Sequence, residues 1–95
     1  MSMRIEWDEQ KREVNRDKHG LDFEDARHVL SQPMLIVEDD RKDYGEQRFR
    51  GIGPMKDIVV LIAFTVRSDA LRIISMRPAN KKEKIAYARA LEERP

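Results

Sequence analysis

Five arginines occupy strand-like segments where apolar or β-branched side chains are the usual choice. Arg48 and Arg50 flank Phe49, Arg67 lies at a turn, and Arg72 and Arg77 bracket Ile73-Ile74-Ser75-Met76. A guanidinium resists desolvation, so its repeated use along a sheet calls for a purpose. Its planar fork bonds phosphate oxygens in pairs, and a phosphate-gripping surface is the chemistry these residues suit best. His19 adds a group that titrates near neutrality and can serve as acid or base. Glu46 is the alternative base, two residues from Arg48 and on its face if that segment is extended. The bland alternative is a set of solvated arginines, each paired with one of the chain's many acids.

Helices and strands must position these groups. Asp8 reads as an N-cap that opens a helix over Glu9–Lys18, with Val14 its one aliphatic residue and Gly20 its C-terminal stop. Lys11, Asn15 and Lys18 share one face of it. Asp22 caps a second helix, in which Phe23, Ala26, Val29 and Leu30 form an apolar stripe closed by Pro33. Four strand candidates follow: Met34–Val37, Gln47–Ile52, Ile58–Val66 and Ala70–Arg77. Gly53-Pro54 and Ser68-Asp69 are the turn signals between them. Asn80 and Glu83 have the spacing of a capping box before a last helix, whose apolar face reads as Ile85, Ala88 and Leu91 with Tyr87 beside it. Short connections make the strands an antiparallel meander. The expected fold is therefore α+β: two N-terminal helices, a four-stranded antiparallel sheet and a C-terminal helix.

Parity complicates the arginine cluster. In an unbroken strand Arg72 and Arg77 face opposite sides. A bulge, an early strand end or a single substrate-facing arginine each resolves this. Pro78 favours the early end, with Arg77 beyond the strand.

Composition narrows the function classes. Ninety-five residues make one domain, residues 1–95. Nineteen basic residues against eighteen acidic ones leave a net charge of +1, so affinity for nucleic acid would have to come from local segregation of sign. Such segregation exists: Glu38, Asp39, Asp40, Asp43 and Glu46 cluster mid-chain, while Lys81, Lys82 and Lys84 follow Arg72 and Arg77. The absence of cysteine excludes a disulfide, a thiolate nucleophile and a thiolate metal site. Glu38-Asp39-Asp40 lacks a nearby histidine and regular ligand spacing, so it reads as a solvated loop, and no metal or other cofactor is expected. The N-terminus has no apolar leader and reads as unprocessed; the apolar run Ile58–Val66 is too short to cross a bilayer as a helix, which points to a cytoplasmic protein without a membrane partner.

Ile5-Glu6-Trp7-Asp8, Lys11, Asn15, Lys18-His19-Gly20 and Phe23-Glu24-Asp25-Ala26 are similar to the opening of the BrnT toxins. The likeness continues through Tyr44-Gly45-Glu46, Arg48, Gly53, Thr65, Arg67, Arg72-Ile73-Ile74-Ser75, Arg77, Ala79, Glu83 and Tyr87, roughly residues 5 to 88. Met76 and Pro78 depart from it, standing where the family more often has a small residue and a basic one. The resemblance implies a toxin of a type II toxin–antitoxin system with a RelE-like microbial ribonuclease fold. It implies a metal-independent endoribonuclease that inhibits translation and is neutralised by a cognate BrnA-type antitoxin. Operator DNA would be reached only through the toxin–antitoxin complex, and a homodimer inside a heterotetramer is admissible.

Cleavage of RNA by its own 2′-hydroxyl needs a base, an acid for the leaving 5′-oxygen and cations for the crowded phosphorus. Arg48, Arg67, Arg72 and Arg77 are the candidate cations, with His19 or Glu46 for proton transfer. Lys11, Lys18 and Lys81 could extend an RNA-binding face, and Tyr87 could stack on a base. The competing reading is a non-catalytic module that binds RNA or a partner through the same basic surface.

Overall fold

The computed structural model describes residues 4–93. The chain enters as strand β1 (Arg4–Trp7) and turns at once into helix α1 (Glu9–His19). The Asp8 carboxylate accepts from the backbone N–H groups of Gln10 and Lys11, and Gly20 ends the helix in the left-handed region at φ 71°. Val14 is 64% exposed, so the expected apolar stripe of this helix is corrected: its buried residue is Asn15. The Asn15 amide donates to the Met76 carbonyl at 2.8 Å and accepts from the Met76 N–H at 3.1 Å. It supplies that residue with both hydrogen bonds a neighbouring strand would have made.

Asp22 caps the next segment by accepting from the Glu24 N–H. That segment begins as a single 3-10 turn, Phe23–Asp25, and continues as α2 (Ala26–Leu30). Arg12 ties it to α1 through a bidentate pair with Asp22, at 2.7 and 3.0 Å.

Strands β2 (Leu35–Glu38), β3 (Arg48–Met55), β4 (Ile58–Arg67) and β5 (Ala70–Pro78) form the expected antiparallel meander. The sheet has a fifth member, because β1 pairs in parallel with β5 from Arg4↔Ala70 to Trp7↔Ile73. Its order is β1-β5-β4-β3-β2, so the four-stranded antiparallel expectation is corrected to a five-stranded mixed sheet. Helix α3 (Lys81–Glu92) closes the fold and opens with the Asn80–Glu83 capping box.

Gly53-Pro54 is not a turn. Both residues lie inside β3, and the hairpin turns at Lys56-Asp57, with Lys56 at φ 56°. Gly53 serves close packing instead: a Cβ there would sit 3.1 Å from side-chain atoms of both Val29 and Met34.

The two sheet faces differ. One packs Val60, Ile62, Phe64, Ile73 and Met76 against Leu21, Phe23, Ala26 and Val29, forming the main core. The other carries a smaller cluster in which Ile52, Leu61 and Ala79 meet Leu35, Val59 and Tyr87. Ile85 and Leu91 are 45% and 38% exposed, which corrects the expected apolar face of α3. Its better-covered residues are Glu83, Tyr87 and Ala90, one stripe at helical spacing.

Candidate active site

Strand register places the arginines. Directly paired residues of neighbouring strands point to the same side of a sheet. One row reads Arg48, Thr65, Arg72, Glu6 from β3 to β1. A second reads Val37, Arg50, Ala63, Ser75, and a third Leu35, Ile52, Leu61, Arg77. On the far side of the first row, Ala70 pairs with both Arg67 and Arg4. All of these side chains belong to the face that α3 covers at one end only.

The parity conflict between Arg72 and Arg77 is resolved by a bulge. Ala63 pairs with Ser75 and Phe64 with Ile73, which leaves Ile74 as the extra residue of β5. Arg77 therefore lies within the strand, correcting its expected place beyond the strand end.

Carboxylates temper this basic face without neutralising it. Arg72 Nη1 donates to Glu6 Oε2 at 2.8 Å, and Arg67 Nη2 donates to Glu46 Oε1 at 3.0 Å. The same Glu46 carboxylate lies 3.6 Å from Arg48 Nε. Arg77 makes a bidentate pair with Glu83 of α3, at 2.8 and 2.9 Å. Among the described residues, five arginines (4, 48, 67, 72 and 77) thus share three glutamates (6, 46 and 83), with Asp69 near Arg4 at the rim. Arg50 makes no ion pair among the described residues, and the buried Nε atoms of Arg48 and Arg50 have no hydrogen-bond partner. The guanidinium of Arg67, helped by that of Arg48, holds the Glu46 carboxyl below the usual carboxylate value. Arg72 does the same to Glu6, and Arg77 to Glu83.

The acidic loop has a structural task that its composition hides. Asp39 is 7% exposed, so the reading of a solvated loop is corrected at this residue. Its carboxylate takes two bonds from Arg41, at 2.8 and 2.9 Å, and one from the Tyr44 hydroxyl at 3.2 Å. Tyr44 in turn lies under Arg48, whose guanidinium carbon is 4.1 Å from the ring centroid. Thr65 donates to the Gln47 carbonyl at 2.6 Å and fixes the chain between Glu46 and Arg48. Among the described residues no group of three or more histidine, aspartate or glutamate side chains could hold a metal ion.

Of the residues singled out in the sequence, Glu46, Arg48, Arg67 and Arg72 come together on the open part of the face. Arg77 shares the face but is turned toward α3. His19, the last residue of α1, is half-buried and makes no hydrogen bond or ion pair with any of these arginines. Lys11 and Lys18 are exposed on α1, and Lys81 is exposed at the start of α3. Tyr87 packs against the smaller apolar cluster and donates to the Pro33 carbonyl at 3.4 Å. Arg50, read among the phosphate-gripping arginines but not among the catalytic candidates, joins them, and Tyr44 and Glu6 are additions. Arg50 was within reach of the sequence, because it has the parity of Arg48. Tyr44 and Glu6 depend on contacts that no local pattern encodes.

Fixed guanidinium groups on an accessible face, with an ionised carboxylate among them, suit a phosphodiester whose charge grows during reaction. Residues 7–83 match the family model described as "Ribonuclease toxin, BrnT, of type II toxin-antitoxin system". No curated protein matches the chain.

Proposed function

This chain belongs to the BrnT family of ribonuclease toxins of type II toxin–antitoxin systems, and we propose that its arginine-bearing sheet face is a metal-independent endoribonuclease site. Membership of such a family implies an antitoxin partner. The reading extends this to a BrnA-type antitoxin, to operator DNA reached through the complex, and to RNA substrate met in the cytoplasm. No helix of the described residues is long and apolar enough to cross a membrane.

The observation that carries the reading is the shared face of Arg48, Arg50, Arg67 and Arg72 with Glu46 among them. Glu46, ionised at neutral pH, takes the proton of the substrate's 2′-hydroxyl. The 2′-oxygen then bonds to the adjacent phosphorus, and the P–O5′ bond breaks with its electron pair going to the 5′-oxygen. That oxygen leaves with a proton from solvent, which reaches this open face. The products are a 2′,3′-cyclic phosphate and a free 5′-hydroxyl. Arg48 and Arg72 hold the non-bridging oxygens and stabilise the crowded phosphorus, where the charge gathers. Arg67 holds Glu46 in place. Arg77 acts on α3, and His19 takes no part in this scheme.

Single-stranded RNA incubated with antitoxin-free protein, with and without EDTA, tests the proposal. Fragments ending in cyclic phosphate are expected in both conditions. Intact RNA, with ribosomes present as well as absent, would overturn it. Salt-dependent binding without fragments would leave the binding-module reading in its place.

A further inference from the structure

Beside the arginine face lies a groove of about 200 Å³ between α3 and strands β2 to β4, lined by Leu35, Val37, Arg50, Ile52, Leu61, Lys82, Glu83 and Ala86. We propose that this groove is the base-binding subsite of the same RNA site and takes a guanine next to the phosphate being cleaved. The inference rests on the reading of the arginine face as an RNA site and adds a specificity to it.

Three features support this. First, the groove is small against a whole ligand and walled largely by aliphatic side chains, so it suits one planar base rather than a nucleotide with its phosphate. Second, Arg50 belongs to both places: it lines the groove and stands in the row next to that of Arg48 and Arg72. A strand whose phosphate lies on Arg48 and Arg72 thus has a base within reach of Arg50. Third, the polar groups have guanine's pattern. Arg50 makes no ion pair or Nε hydrogen bond among the described residues, although its charge helps to lower Glu83, and its fork can donate to the adjacent acceptors O6 and N7. Glu83 also lines the groove: its Oε1 already accepts from Arg77 and the Asn80 N–H, while Oε2 accepts from Arg77 alone and keeps a lone pair for the N1–H or N2–H donor. Adenine offers a donor where the fork needs an acceptor, and the pyrimidines lack the paired acceptors.

Oligoribonucleotides that differ only in the base beside one scissile linkage provide the test. The protein is expected to cleave the guanine substrate with a kcat/KM about tenfold or more above the other three. Arg50→Ala and Arg50→Lys should both erase the difference, since lysine keeps the charge but not the fork. A second arm needs no catalysis. Fluorescence anisotropy of 2′-O-methylated oligonucleotides on the Glu46→Gln protein should show the same guanine preference, and Ala86→Trp, which fills the groove, should abolish it. Equal treatment of the four bases, or a preference that survives Arg50→Ala or Ala86→Trp, overturns the inference. Guanine-selective binding with no cleavage by the unaltered protein would sink the nuclease reading and keep the subsite.

Discussion

Arg72 and Arg77 project from the same side of β5 although five positions separate them, because Ile74 is the extra residue opposite the Ala63–Phe64 step. Their partners divide them again. Arg72 meets Glu6 of the neighbouring strand on the open part of the face, whereas both terminal nitrogens of Arg77 donate to Glu83 on α3. Equal placement on the sheet therefore does not mean equal duty, and substitution should separate the two.

Arg72→Ala should lower kcat/KM for RNA by about 10²–10³-fold, the scale of losing one fixed donor to a developing charge. Its stability in urea should fall by no more than about 1 kcal/mol, because the ion pair with Glu6 is only partly buried. Arg77→Ala should do the reverse. Losing charged hydrogen bonds to a Glu83 side chain only 13% exposed costs about 1–3 kcal/mol, while kcat/KM stays within about tenfold. Comparable activity losses for both variants would refute the division.

The identity of the base can be read from pH. Arg67 and Arg48 hold Glu46 below the usual carboxylate value, so it stays ionised through neutrality and into mild acid. If Glu46 accepts the 2′-hydroxyl proton, kcat/KM falls on the acid side only below the ordinary glutamate value of 4.5. Glu46→Gln should remove about 10²–10⁴-fold of the rate across the range, with His19→Ala near the unaltered protein. An acid limb that vanishes in His19→Ala would transfer the role to the histidine.

How far the sequence could be read depended on the range of each interaction. Asp8, Gly20 and the Asn80–Glu83 box act within one helical turn, and the structure has each of them as expected. The meander was legible because its neighbours are joined by short connections. The partner of β1, Ala70–Ile73, lies more than sixty residues away and the pairing is parallel, so nothing nearby announced a fifth strand. Gly53 carried a turn signal that tertiary packing against Val29 and Met34 overrode. For the site, arginine spacing gave Arg48, Arg67 and Arg72. The bulge at Ile74 and the Asp39–Tyr44–Arg48 relay arise from pairing and packing, which residue types alone do not encode.

Acid should weaken the fold over a narrow window. The Arg12 guanidinium, with help from the Glu24 N–H, lowers Asp22 from an ordinary value of 3.8 to about 2. A carboxyl whose folded pKa is depressed adds stability that is full above the unfolded value and disappears as pH falls through the folded one. Glu83, lowered by Arg77, acts in the same sense. Urea midpoints should accordingly drop between about pH 4 and pH 2. Asp22→Asn should start lower at neutral pH and lose less across that window. A parallel decline in both proteins would remove Asp22 from the account.

Asn15 offers the sharpest test of how α1 is held. Beyond Trp7, β1 no longer borders β5, and the Asn15 amide takes over the backbone of Met76 while also donating to the Leu21 carbonyl at 3.2 Å. Asn15→Ala strands a buried N–H and a buried carbonyl at the free edge of β5, each left without its partner. The expected loss is about 2–4 kcal/mol, seen as a lower urea midpoint with an unchanged slope. Asn15→Asp should fare no better, since one oxygen can accept from Met76 N–H but the other faces the Met76 carbonyl with no hydrogen to give. Where either variant is folded, its RNA cleavage should match the parent, because Asn15 touches none of the arginines on the open face. A stable Asn15→Ala protein that has lost cleavage would instead place α1 in the site itself.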